Sequence, residues 1–192
     1  KYNLVINKTL SNDSNKITMK VIKTKIKGPL IIQKETFSDK RGYLRELYKE
    51  KIISKKFVFE ILSKSKKNVI RGLHLQKKDS QGKYVTVLNG KAFDVAVDLR
   101  KKSKTFGKYV SIVLSGSQNI SFYIPPGFAH GFCALENNTI MHYKCTNYRD
   151  KKSELGIIWN DPGLNIKWPI KKPIISKRDK KNLNLEHLID RL

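Results

Sequence analysis

The sequence predicts an all-β protein, an antiparallel sandwich or barrel finished by one short C-terminal helix. Two observations carry that prediction. Short apolar or alternating runs recur along the chain, and Asn-Gly, Gly-Ser and Pro-Gly turns separate them where an α/β protein would have helices. Helical spacing is confined to the tail, where Leu185, Leu188, Ile189 and Leu192 fall on one helix face.

Taken in order, residues 1–18 are polar, rich in Asn and Lys, and read as an N-terminal extension that is mobile unless it pairs with something. A single domain is expected over residues 19–192, long enough for one well-buried core. Met19-Lys20-Val21-Ile22 and Pro29-Leu30-Ile31-Ile32-Gln33 are two short strands. Phe37-Ser38-Asp39-Lys40-Arg41-Gly42-Tyr43 reads as a loop whose Asp and Gly set a turn, leading into Leu44-Arg45-Glu46-Leu47-Tyr48. Phe57 to Leu62 is the next strand, then Val69 to Gln76, then Tyr84 to Leu88, closed by Asn89-Gly90. From Ala92 to Arg100 the pattern alternates: Phe93, Val95, Val97 and Leu99 share one face, and Asp94, Ala96, Asp98 and Arg100 the other. Val110, Ile112 and Leu114 repeat the alternation, as do Ile120, Phe122 and Ile124, and Thr139 to Cys145 ends the series.

Forty Lys and Arg against sixteen Asp and Glu leave a formal charge of +24. The lysines are spread along the whole chain, with no arginine-rich helix, zinc-finger spacing or aromatic-studded motif beside them. A solvated lysine surface is therefore expected in place of nucleic-acid binding, although a small anionic substrate would profit from the field. No apolar run approaches the roughly 20 residues of a membrane helix. The two cysteines, Cys133 and Cys145, sit in apolar strands, which favours reduced thiols and a cytoplasmic protein.

The residues that could do chemistry begin with Val69-Ile70-Arg71-Gly72-Leu73-His74-Leu75-Gln76 and, one turn-rich segment on, Gln81-Gly82-Lys83. A base that works near neutral pH, an arginine and a lysine suit proton abstraction from carbon in a molecule carrying phosphate. In Pro125-Pro126-Gly127-Phe128-Ala129-His130-Gly131-Phe132 the prolines end a strand, and His130 stands near the start of the next. Two histidines at the mouths of separate strands suggest a cupin pocket in a jelly-roll, double-stranded β-barrel. A metal cupin would place a second histidine two residues after the first, where this chain has Gln76. Two imidazoles fall short of a stable ligand set, so no metal is expected. Each residue also has an ordinary reading: His74 as a hydrogen-bonded core residue, Tyr143 as a packed ring, Asp179 as a helix cap.

From Met19 onward the chain resembles the dTDP-4-dehydrorhamnose 3,5-epimerases, cupin-fold enzymes of nucleotide sugars. The resemblance rests on Asp39-Lys40-Arg41-Gly42, Arg71-Gly72-Leu73-His74, Gln81-Gly82-Lys83, Phe93 to Arg100 and Pro125 to Phe132. Tyr143-Lys144, Trp159-Asn160-Asp161-Pro162, Ile166-Lys167-Trp168-Pro169 and Ile175-Ser176-Lys177-Arg178-Asp179 complete it, in family order. It implies that His74 is the general base, Asp179 its orienting partner and Tyr143 the acid on the opposite side of the sugar. Arg71, Lys83 and His130 would surround the sugar and diphosphate, with Arg41 and Glu46 toward the nucleotide. A homodimer whose N-terminal strands reach the partner's sheet and site, and a reaction without a cofactor, are implied as well. The chain departs from the family at Phe57-Val58-Phe59-Glu60-Ile61, where Phe59 and Ile61 replace a Gln and an Asn near the nucleotide. The alternatives are a relative that inverts one carbon, an isomerase of another nucleotide sugar such as a keto-heptose, and a non-catalytic sugar- or polyanion-binding cupin.

Overall fold

The computed structural model describes residues 6–9 and 19–192. Its strands, in chain order, are β1 (Ile6–Thr9), β2 (Lys20–Lys23), β3 (Leu30–Gln33), β4 (Phe37–Asp39), β5 (Gly42–Leu44), β6 (Phe59–Ser65), β7 (Val69–Gln76) and β8 (Lys83–Asn89). They continue with β9 (Lys91–Asp98), β10 (Tyr109–Ser115), β11 (Ile120–Ile124), β12 (Phe128–Ala134), β13 (Thr139–Cys145), β14 (Glu154–Gly156) and β15 (Ile174–Ile175), and α1 (Leu185–Leu188) closes the chain. Two sheets face each other as a jelly-roll of the cupin type. One has the order β1-β2-β3-β11-β8-β13-β6, the other β10-β9-β12-β7-β14, with β15 added parallel to β7. Of the extension expected over residues 1–18, β1 pairs antiparallel with β2, and the rest lies outside the described residues.

Alternation along the strands sends side chains into three apolar layers. Val85, Val87, Phe122, Ile124 and Met141 from the larger sheet meet Ala92, Ala96, Leu114 and Phe132 from the smaller one in the layer between them. The outer face of the smaller sheet is covered too, because Ile157, Leu164, Leu185 and Leu188 pack over Leu73, Val95, Val97 and Ala129. The outer face of the larger sheet carries a third cluster, in which Tyr48, Ile53 and Phe57 lie on Ile32, Tyr84 and Tyr123. Both faces of β9 are therefore buried, and Asp94 and Asp98 on its polar face are 0% exposed. A strand wrapped on both sides tolerates such carboxylates only where partners satisfy them. Asp98 finds Arg100, Ser103 and Thr105.

One element differs from expectation, while the short C-terminal helix is found as expected. The stretch after Thr36 is a short hairpin, β4 with β5, that pairs with neither large sheet. The C-terminal helix is a single turn, Leu185–Leu188, with 3-10 turns at Asp179–Lys181 and Ile189–Arg191. Asn182 leaves the first of these turns in extended conformation, and packing of Leu185 and Leu188 on the sheet, not helix propensity, holds the tail.

Gly72 has a positive φ of 109°, and a Cβ there would meet His130 O at 2.6 Å and Gly131 Cα at 2.7 Å. Both contacts are backbone atoms of the neighbouring strand and cannot swing aside. Gly72→Ala is expected to cost about 2–4 kcal/mol of stability, read as a lower urea midpoint; an unchanged midpoint would mean the strand relaxes freely.

Candidate active site

The jelly-roll leaves one end of the space between its sheets open, and a cavity of about 490 Å³ lies there. Its walls come from β6, β8 and β13 of the larger sheet and from β7, β12, β14 and the chain around Asp179 on the other side. A regular strand would turn Arg71 and His74 to opposite faces. The register of β7 against β12 prevents this. His130 stands opposite His74, and Phe132 opposite Arg71, so two steps on β12 span three on β7. This bulge at Gly72 lets Arg71 and His74 both line the cavity.

His74 Nε2 lies 2.7 Å from Asp179 Oδ1, and the other Asp179 oxygen accepts the Gly72 amide at 3.3 Å. Burial alone would raise the Asp179 carboxyl, but the hydrogen bond and charge of His74, the Gly72 amide and Ser176 outweigh it and hold the group below its ordinary value. An ionised carboxylate only accepts, so Nε2 carries the shared proton and Nδ1 keeps its lone pair. Nδ1 is 3.8 Å from Glu154 Oε1, too far for a hydrogen bond but close enough to stabilise a positive ring. Glu154 was not foreseen from the sequence. It reaches His74 because β14 pairs with β7, and Arg149 and Arg178 hold its other oxygen at 2.8 and 3.0 Å.

Tyr143 projects from β13, in the opposite sheet. Its hydroxyl lies 3.3 Å from Ser63 Oγ and 3.7 Å from Met141 Sδ, and its ring meets His130 edge-on at 6.1 Å. Burial pushes the phenol well above its ordinary range, so it stays protonated and can donate. His130 Nε2 is 3.0 Å from both Asp94 oxygens, and burial drives the Asp94 carboxyl up against the pull of His130 and Lys83. Arg71 donates to Ser65 Oγ at 3.1 Å and to Lys64 O at 3.2 Å, both neutral, so its charge is available to a ligand. Lys83 lines the same cavity, and burial lowers its ammonium while the charges of Cys145, Glu154 and Asp94 oppose that shift.

Six of the eight residues singled out from the sequence thus meet: Arg71, His74, Lys83, His130, Tyr143 and Asp179. Arg41 and Glu46 do not line the cavity of their own chain. Arg41 sits at the tip of the β4–β5 hairpin, held by Asp39 at 2.5 Å, and Glu46 is paired with Lys49 at 2.6 Å. Ser63 and Ser65, which orient Tyr143 and Arg71, escaped the sequence reading because serines in an alternating strand carry no local signal. Gln76, two residues after His74, is committed to Asp79 O, Tyr148 O and the Asp150 amide. Among the described residues no three His, Cys, Asp or Glu side chains gather as a metal ligand set. Cys133 and Cys145 are both buried and free.

A family model described as dTDP-4-dehydrorhamnose 3,5-epimerase matches residues 23–187. The Salmonella typhimurium protein of that name is 46% identical over 169 residues, covering 84% of this chain and 92% of its own. The Shigella flexneri protein of that name is 44% identical over 168 residues, 84% and 93% of the two chains. Among solved structures, the Legionella pneumophila dTDP-6-deoxy-D-glucose-3,5-epimerase in complex with dTDP-4-keto-L-rhamnose superposes with a TM-score of 0.84 at 41% identity. That match covers 88% of this chain and 93% of the Legionella one.

Proposed function

The chain belongs to the dTDP-4-dehydrorhamnose 3,5-epimerase family, isomerase-class enzymes, and we propose that it inverts carbons 3 and 5 of dTDP-4-dehydro-6-deoxyglucose with His74 as base and Tyr143 as acid. The observation that carries this reading is that an imidazole and a phenol reach one cavity from facing sheets. Inversion needs a proton removed on one face of a carbon and returned on the other, and two opposed walls supply the two faces.

The 4-keto group acidifies the hydrogens on carbons 3 and 5, because the carbanion left behind delocalises onto oxygen. His74 Nδ1 takes the proton while Asp179 holds the ring through Nε2, and the resulting imidazolium lies between Asp179 and Glu154. Tyr143 delivers its hydroxyl proton from the other side. Arg71, Lys83 and His130 surround the enolate oxygen and the diphosphate, fixed charges and donors of the kind that dominate such catalysis. The chemistry proposed uses side chains alone, with no cofactor.

A homodimer is included in the proposal. Arg41 and Glu46 lie away from their own cavity, and the hairpin that bears Arg41 exposes Phe37, Tyr43 and Leu44 by 43%, 61% and 63%. A second copy would cover those apolar side chains and receive Arg41 and Glu46 at its site, and the cytoplasm, where nucleotide sugars are made, is the compartment proposed. The test is to incubate the protein with dTDP-linked 4-keto-6-deoxyglucose in deuterated water. NMR should find deuterium at carbons 3 and 5 and a rhamnose-configured product. Label at one carbon only would assign a single-carbon epimerase, and no uptake would refute the reaction.

A further inference from the structure

We propose that Ser63 is a positioning residue that returns a proton to Tyr143 between the two inversions. The proposal rests on the roles of His74 and Tyr143 given above and concerns how that pair is reset. In a gluco-configured pyranose the hydrogens on carbons 3 and 5 are both axial on the same ring face. One base must therefore remove both, and one acid must serve the opposite face twice. After the first inversion the enzyme holds an imidazolium and a phenolate, and neither can repeat its step.

Ser63 lines the same cavity as Tyr143. The phenol has a single oxygen partner among the described residues, Ser63 Oγ at 3.3 Å, its other neighbour being the Met141 sulfur. Ser63 belongs to β6, the last strand of the larger sheet, and Ile61, Leu62 and Lys64 beside it are exposed. A hydroxyl there touches the buried acid on one side and lies next to the solvated edge on the other. It both donates and accepts, which a relay requires. In the step proposed, the Ser63 O–H bond breaks as its proton moves to the Tyr143 oxygen, and a water proton replaces it on Ser63, leaving hydroxide. The His74 imidazolium gives its proton to water, and the hydronium and hydroxide combine, so the pair is restored with nothing consumed. The high proton affinity that burial confers on the phenolate drives the transfer.

The experiment compares Ser63→Ala, Ser63→Thr and Tyr143→Phe in deuterated water, following label and product by NMR. Removing the hydroxyl should leave exchange by His74 in place and raise the ratio of singly to doubly inverted product by roughly tenfold or more, within the usual span of proton-transfer effects. Ser63→Thr, which keeps a hydroxyl, should restore the doubly inverted product. Adding Tyr143→Phe to Ser63→Ala should remove the first inversion as well and leave only exchange by His74. An unchanged product ratio and rate in Ser63→Ala overturns the relay, and so does a loss of all exchange, which would mean Ser63 merely supports the site. The acid assignment and the relay fail separately: full activity in Tyr143→Phe sinks the acid assignment, whereas a defective Tyr143→Phe beside a normal Ser63→Ala sinks only the relay.

Discussion

His74→Asn should abolish deuterium uptake from solvent into the bound 4-keto sugar, lowering exchange by at least about 10³-fold. The amide keeps a polar group near Asp179 but has no basic nitrogen at the position of Nδ1. The fold should survive, because His74 is only partly buried and its loss opens space toward a cavity that already exists. Asp179 would then lack the partner that holds it ionised, and its carboxyl should titrate higher than in the parent protein. Uptake at the parental rate in a folded His74→Asn protein would assign the base elsewhere, with Glu154 the next candidate by position.

Tyr143→Phe is expected to uncouple exchange from inversion, which proceed together in the parent enzyme. Hydrogens should still exchange, since His74 and Asp179 are untouched, but inversion should fall by about 10²–10³-fold for want of a donor on the far face. Label would then return from the side of His74 with configuration retained. The variant costs little packing, because the ring remains against His130 and only the contacts to Ser63 and Met141 vanish. Equal loss of exchange and inversion would show that Tyr143 shapes the cavity and does not act as acid.

The fate of His74 and Tyr143 shows where local sequence stops being informative. Alternation along Phe93 to Leu99 and along Ile120 to Ile124 is a local property of the backbone, since side chains two apart share a face. It announced strands and a two-sheet protein. The ordered motifs announced the family, and with it six side chains that do meet. The alternation could not say that both faces of β9 are buried, because the covering residues, Ile157 to Leu188, lie far along the chain.

The amino-acid sequence by itself determined the all-β character, the family and which six side chains to look for at one site, because these are written in residue type and short-range spacing. Tertiary structure alone decided that Arg71 and His74 share a wall through the bulge at Gly72. It also brought Glu154 to His74 and Ser63 to Tyr143, and left Arg41 and Glu46 outside their own cavity. The physical reason is one of range: a strand's register and a hairpin's direction are set by pairing between segments distant in the chain, and neither leaves a mark on the residues nearby.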